Sequence, residues 1–297
     1  MRGTQSFLIL SVMAAATPMI HAANFSGNAA LEFTRHAVEF GPRPPGSDAN
    51  HQLQAYIVDR LKSCACQVSE DPFTAQTPKG AIAMKNILAR FPGKTPNGRM
   101  IVITGHYDTK LFPGRKFVGA NDAGSSTGLL LELAQVLAHQ PRTYDVVLVW
   151  FDGEEAIRKD WEGVDNLYGS RHLADRWRKD GTFTRIKALI NVDMIGDKNL
   201  DIMQELNSDP GLRKLVQTTA ADLGYKAYFL SGGQPTEDDH TPFLEIGVPA
   251  IDLIDFNYGP NNSYWHEDSD TMDKLSAQSL EIVGTMVVEL ISRLERQ

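Results

Sequence analysis

Five runs of the chain, at residues 87–91, 100–104, 145–151, 186–192 and 249–254, are apolar at most positions rather than alternating. Strands covered on both faces read this way. Between and after them, over 126–139, 168–179, 211–223 and 276–294, apolar residues recur at spacings of three and four, which predicts amphipathic helices. Strands alternating with helices predict an α/β fold with a mixed, mostly parallel central β-sheet sandwiched by helices. No internal repeat, low-complexity tract or linker-like shift in composition interrupts residues 24–297, so a single domain is the simplest organisation.

Residues 1–23 follow another pattern. Arg2 precedes the apolar run 7–16, Pro18 follows, and Ile20-His21-Ala22-Ala23 supplies small residues at which a signal peptidase would cut. The stretch reads as a secretory signal peptide; the alternative is an N-terminal anchor, but its ten or so apolar residues fall short of the ~20 that span a bilayer. A secreted or periplasmic location is expected, with no membrane segment in the mature chain and a monomer as the expected state.

At 42% hydrophobic and 22% charged over 297 residues, the chain can bury a core without disulfide staples. Its formal charge of −8 lacks the basic stripe of a nucleic-acid binder. The two cysteines, Cys64 and Cys66, suit neither a disulfide scaffold nor a four-cysteine zinc site. A strained bridge and two separate thiols at a helix end remain equally open, and no catalytic role is assigned to either residue.

In α/β folds ligands collect beyond the carboxyl ends of the strands, and five polar segments stand at such places or at the start of a helix. They are Gly105-His106-Tyr107-Asp108-Thr109, Asn121-Asp122-Ala123-Gly124-Ser125-Ser126, Asp152-Gly153-Glu154-Glu155, Asp193, and Tyr264-Trp265-His266-Glu267-Asp268. His106, Asp122, Glu155, Asp193 and His266 are the nitrogen and oxygen donors that a catalytic zinc accepts while keeping a coordination position open. Each alone reads as well as a helix cap or a salt-bridge partner; together they suggest one site. Glu154 and Glu155 are adjacent like charges, relieved if one binds a metal while its neighbour works as a general acid/base.

In sequence order, the motifs at 105–109, 121–126, Phe151-Asp-Gly-Glu-Glu-Ala, Asn191-Val-Asp-Met-Ile-Gly and Tyr264-Trp-His resemble those of the zinc-dependent M28 peptidase family, over most of residues 30–295. Within it the chain is most similar to the glutaminyl cyclases, through Trp161, Leu167-Tyr-Gly-Ser-Arg-His-Leu-Ala, Asp238-Asp239-His240-Thr-Pro-Phe and Trp265 directly before His266. The resemblance implies conversion of N-terminal glutaminyl residues of peptides or proteins to pyroglutamate with loss of ammonia. It further implies one zinc held by Asp122, Glu155 and His266, Glu154 as proton shuttle and Asp193 assisting it. His106 and Asp193 also match the second-metal ligands of two-zinc aminopeptidases, so an aminopeptidase with two zincs is the alternative; a silent M28-like binding domain is the more distant one.

Trp161 and Trp265 have an ordinary reading as packing aromatics, but beside metal ligands they would wall a small, partly dry pocket. Asp238 reads either as an orienter of polar groups in that pocket or as a cap for a helix beginning near Thr241. Asp252 stands where the animal enzymes of the family carry a histidine bonded to the counterpart of Asp238, and two facing carboxylates would repel unless one is protonated or a water or cation intervenes. The loop 257–263, rich in Asn, Gly and Pro, is expected to reshape the pocket rim.

Overall fold

A computed structural model describes residues 25–95, 98–158 and 161–297, so the predicted signal peptide lies outside the described residues. Two helices open the fold, α1 (Gly27–Glu39) and α2 (Asp48–Leu61), and a serine caps each, Ser26 Oγ accepting from Ala29 N and Ser47 Oγ from Asn50 N. A hairpin of β1 (Gln67–Thr77) and β2 (Gly80–Phe91) leads to β3 (Met100–His106), α3 (Ser126–Ala138), β4 (Asp145–Phe151), α4 (Tyr168–Asp180) and β5 (Ile186–Asp193). There follow β6 (Ile202–Glu205), α5 (Pro210–Asp222), β7 (Phe229–Gln234), α6 (Thr241–Glu245), β8 (Ala250–Ile254) and α7 (Ala277–Arg296).

The main sheet has the order β1-β2-β4-β3-β5-β8. Pairings β4–β3, β3–β5 and β5–β8 are parallel, whereas β1–β2 and β2–β4 are antiparallel. Strands β6 and β7 form a separate parallel pair. Successive residues of a strand face opposite sides, and both sides are covered. On one, Ile101, Ile103, Leu148 and Ile190 belong to a core with Leu130 and Leu133 of α3 and Val283 and Val287 of α7. On the other, Val102, Val147, Val149 and Leu189 pack with Leu173 and Trp177 of α4 and Phe243 of α6. This double cover explains the predominantly apolar, non-alternating runs of the central strands.

Cys64 and Cys66 stand as free thiols just beyond α2. Cys64 Sγ accepts from Gln135 Nε2 at 3.0 Å, and burial raises both thiols, Cys66 to about 11. Among the described residues no helix is long and apolar enough to cross a membrane.

The carboxyl ends of β3, β4, β5 and β8 lie along one rim, and α3, which follows the turn holding Asp122, is fixed against α1 at Gly128. A Cβ on Gly128 would collide with the backbone of Ala30 and the side chain of Thr34. The gain in helix propensity, about 1 kcal/mol, does not offset a clash with main-chain atoms. Gly128→Ala is expected to lower stability by about 2 kcal/mol, read as a shift of the urea midpoint at unchanged slope.

Candidate active site

The rim of the sheet brings the polar segments together. His106 ends β3, Asp193 ends β5, and Glu154 and Glu155 follow β4 by three and four residues. Asp122 lies in the turn before α3, where the Asp122–Ala123 peptide is cis, and His266 lies in the segment after β8 with a left-handed φ of 56°. His106 Nε2 is 3.3 Å from both Asp122 Oδ1 and Asp193 Oδ1. His266 Nε2 is 3.0 Å from Glu155 Oε1 and 3.3 Å from Asp122 Oδ2. Two groups of three therefore offer ligand atoms within 4.8 Å of one another, Asp122 with Glu155 and His266, and Asp122 with His106 and Asp193. Such buried sets of nitrogen and oxygen donors are compatible with zinc.

Removing this much acid from water has electrostatic consequences. Burial pushes Glu154 well above its ordinary value; Glu155, Asp238 and Asp239 push the same way, against His106. Burial likewise lifts Asp193 to about 7, opposed by His106 and supported by Asp238 and Asp122. For the histidines burial works downward and is overcome. Glu154, Asp108, Asp122 and Asp193 raise His106, while Glu155 and Asp122 raise His266 to about 10. Asp122 is held below the ordinary carboxylate range, because its contacts with both histidines outweigh desolvation.

Neighbouring groups fix the loops that present these side chains. Asp108 accepts from Glu154 N at 3.1 Å and from Glu155 N at 3.4 Å. Asp270 accepts from Asn121 N at 2.8 Å, from Asp122 N at 3.2 Å and from Tyr258 Oη at 2.6 Å. The fully buried Arg43 donates to the carbonyls of Tyr107, Val118 and Gly119, tying the strand end to the turn of Asp122. Lys110, 3% exposed, donates to Ala156 O and lies 3.5 Å from Glu155 Oε2.

The site opens into a cleft of about 580 Å³ whose walls include Trp161, Trp265, Asp238, Thr236 and Phe256. Trp265 stacks on His266, centroids 4.2 Å apart at 21°, and Phe112 and Phe117 meet the same imidazole edge-on. Asp165, four residues beyond Trp161, accepts from Ile157 N, Arg158 N and Tyr168 Oη. The indole N–H of Trp161 is buried with no partner among the described residues.

All the residues singled out from the sequence meet here: Asp122, Glu154, Glu155, Asp193, Asp238, Trp161, Trp265 and His266 line the cleft, and His106 lies against three of the acids. Of the two readings of Asp238, the helix cap drops out. Asp238 does not cap α6, since no side chain caps that helix and Asp238 Oδ1 instead accepts from Asp239 N. No residue of the loop 257–263 is among those lining the cleft; its Tyr258 donates to Asp270 and meets Tyr264 edge-on. Sequence reasoning missed Lys110, Phe112, Phe256 and Arg43. Asp108 stood in a quoted motif, yet its role as an acceptor for main-chain N–H groups 46 and 47 residues away leaves no local signal.

Residues 86–291 match peptidase family M28. A glutaminyl-peptide cyclotransferase of Drosophila melanogaster is 32% identical over 280 residues, 85% of this chain and 76% of its own. A solved glutaminyl cyclase from an Acidobacteriales bacterium superposes with a TM-score of 0.88 at 41% identity, over 97% of this chain and 99% of its own. A leucine aminopeptidase precursor from Bacteroides thetaiotaomicron has the same fold, with a TM-score of 0.82 at 23% identity over 92% of this chain and 99% of its own. Fold alone does not separate the two activities.

Asp252 accepts from Asn191 Nδ2 at 3.1 Å through Oδ1, and its buried Oδ2 has no other protein donor among the described residues. Burial first, then Asp238 and Asp193, raise its carboxyl well above the ordinary value, so the folded state keeps a proton that the unfolded chain releases near pH 4. Stability from this group falls as pH rises between those two values. Asp252→Asn, which imitates the protonated acid, is expected to gain on the wild type progressively from pH 5 to pH 8 in urea denaturation; a constant difference across that range would contradict the assignment.

Proposed function

Because the chain belongs to peptidase family M28, we propose that it is a glutaminyl-peptide cyclotransferase, closing N-terminal glutaminyl residues of peptides or proteins into pyroglutamate and releasing ammonia. The reading rests on one arrangement beside the 41% identity to a glutaminyl cyclase: Trp265 stacked on His266 walls a cleft in which Glu154 sits buried beside Asp122 and Glu155. Asp122, Glu155 and His266 would hold one zinc, three protein ligands leaving a position for substrate. An ion bound there would supply Lewis-acid polarisation of the substrate's amide carbonyl.

The substrate's α-amine attacks its own γ-amide carbon; a C–N bond forms, the bond to the amide nitrogen breaks, and ammonia leaves. Glu154 takes a proton from the amine and returns it to the departing nitrogen, a task suited to a carboxyl that burial raises above its ordinary value. Asp193 supports that transfer from across the site. Trp161 and Trp265 exclude water and hold the glutaminyl side chain folded back on its amine, which supplies the orientation an intramolecular attack needs. An exported location is proposed from the leader pattern of residues 1–23.

One observation favours a second reading, a zinc aminopeptidase. His106 and Asp193 form a further triad with Asp122, which would suit a second metal ion.

Incubating the mature protein with a Gln-initiated peptide, with and without a chelator, separates the readings. Cyclisation gives a chelator-sensitive loss of about 17 Da with every residue retained, whereas metal-assisted hydrolysis releases the first residue. Glu154→Gln is expected to reduce kcat by roughly 10²–10⁴-fold at unchanged zinc content; wild-type turnover would remove Glu154 as the shuttle.

A further inference from the structure

Glu205 ends β6, is 1% exposed, and is absent from the cleft lining. Its carboxylate nevertheless gathers donors from three directions. Oε1 accepts from Asn207 N at 2.9 Å and Thr236 N at 2.9 Å. Oε2 accepts from Ser208 N at 2.6 Å and Ser208 Oγ at 2.7 Å, and lies 3.1 Å from Nε2 of the fully buried His240. Thr236 and His240 are the two feet of an arch, residues 236–240, and Asp238 is its midpoint.

The arch is one wall of the cleft. Asp238 lines the cavity, is 2% exposed, and its carboxyl accepts from the protonated carboxyl of Asp252. Two further bonds bind the same wall to β6 and the residues after it, Leu206 N to Gln234 O at 3.1 Å and Asn207 Nδ2 to Thr236 O at 3.3 Å. Ser208 Oγ also accepts from Asp252 N at 3.0 Å, so one carboxylate fixes both the arch and the β8 position beside it. Nothing in the local sequence announces this, because the feet lie 31 and 35 residues beyond Glu205.

We propose that Glu205 is a positioning residue for the reaction: by pinning both feet of the 236–240 arch it sets where the Asp238 carboxyl stands in the cleft. Burial opposes ionisation of Glu205, but its donors outweigh burial and hold the carboxyl at about 2, so all these bonds persist at working pH. Glutamine cannot replace it, since an amide turns one acceptor into a donor facing other N–H groups.

The inference rests on the cyclase reading only for the choice of substrate. In zinc-loaded protein, Glu205→Gln is expected to lower kcat/KM for a Gln-initiated peptide by roughly tenfold or more at unchanged zinc content. His240→Ala, which frees one foot, should fall in the same direction, and His240→Gln, which keeps an N–H toward Glu205, should recover most of the loss. Where Asp238→Ala leaves measurable turnover, adding Glu205→Gln to it should cost no more than about twofold, because the two act as one unit. Wild-type kcat/KM in Glu205→Gln or His240→Ala, or losses that multiply in the double variant, would overturn the proposal. If Glu205→Gln does not fold, the His240 pair carries the test alone. Wild-type protein that leaves the Gln peptide uncyclised would refute the cyclase reading by itself, and the same variants would then be compared on the N-terminal peptide bond it hydrolyses, since Asp238 lines that same cleft.

Discussion

The crowding of acid at the sheet rim is the constraint on which the rest of the molecule depends. Asp122, Glu154, Glu155 and Asp193 are all buried within reach of two histidines, and a second rank of Asp108, Asp238, Asp239 and Asp252 lies buried with them. Carboxylates taken out of water in such numbers cannot all stay ionised without compensation. The compensation comes in three forms. His106 and His266 each face two or more acids, Lys110 approaches Glu155, and Asp239 and Asp252 are pushed toward their neutral forms by burial and by Asp238. What remains is a concentration of negative charge around Asp122, the residue common to both triads, which turns Oδ1 toward His106 and Oδ2 toward His266, an arrangement compatible with a divalent cation.

Such a site has to be held in shape, and other carboxylates do the holding. Asp108, Asp165, Asp270, Asp255 and Glu205 each accept from two or more main-chain N–H groups of a loop near the rim. An irregular loop has no ladder to satisfy its N–H groups, and burying them unpaired is costly. One carboxylate can take several, so a few acidic residues replace secondary structure where the chain must bend around the cleft.

How much of this was legible in the sequence follows from which interactions are local. The central strands β3, β4, β5 and β8 showed as apolar runs because helices cover both their faces, and α3, α4, α5 and α7 showed through their apolar spacing. β1, α1 and α2 were not anticipated. The outer strand reads Gln-Val-Ser-Glu-Asp-Pro-Phe-Thr-Ala-Gln-Thr and is largely exposed, while α2 buries Asn50 and Gln54 alongside Leu53 and Ile57, which blurs its apolar stripe. β6 and β7, a short pair outside the main sheet, have too few residues for a period to register. At the site, ligand-type residues at strand ends marked the chemistry, since few other arrangements place so many donors after apolar runs. Arg43, Lys110 and Glu205 left no trace, because their partners are brought near only by the completed fold.

The main-chain character of the loop braces bears on how this scaffold can diverge. Asp165 holds the chain before Trp161 through the N–H groups of Ile157 and Arg158, and Glu205 grips the 236–240 wall largely through the N–H groups of Thr236 and its own neighbours. Every residue type except proline carries that N–H. Side chains at Gln234, Glu237 or Trp161 can therefore be exchanged while the course of the loop is preserved. The lining of the cleft can thus vary one position at a time, with the carboxylates and histidines at the sheet rim left in place.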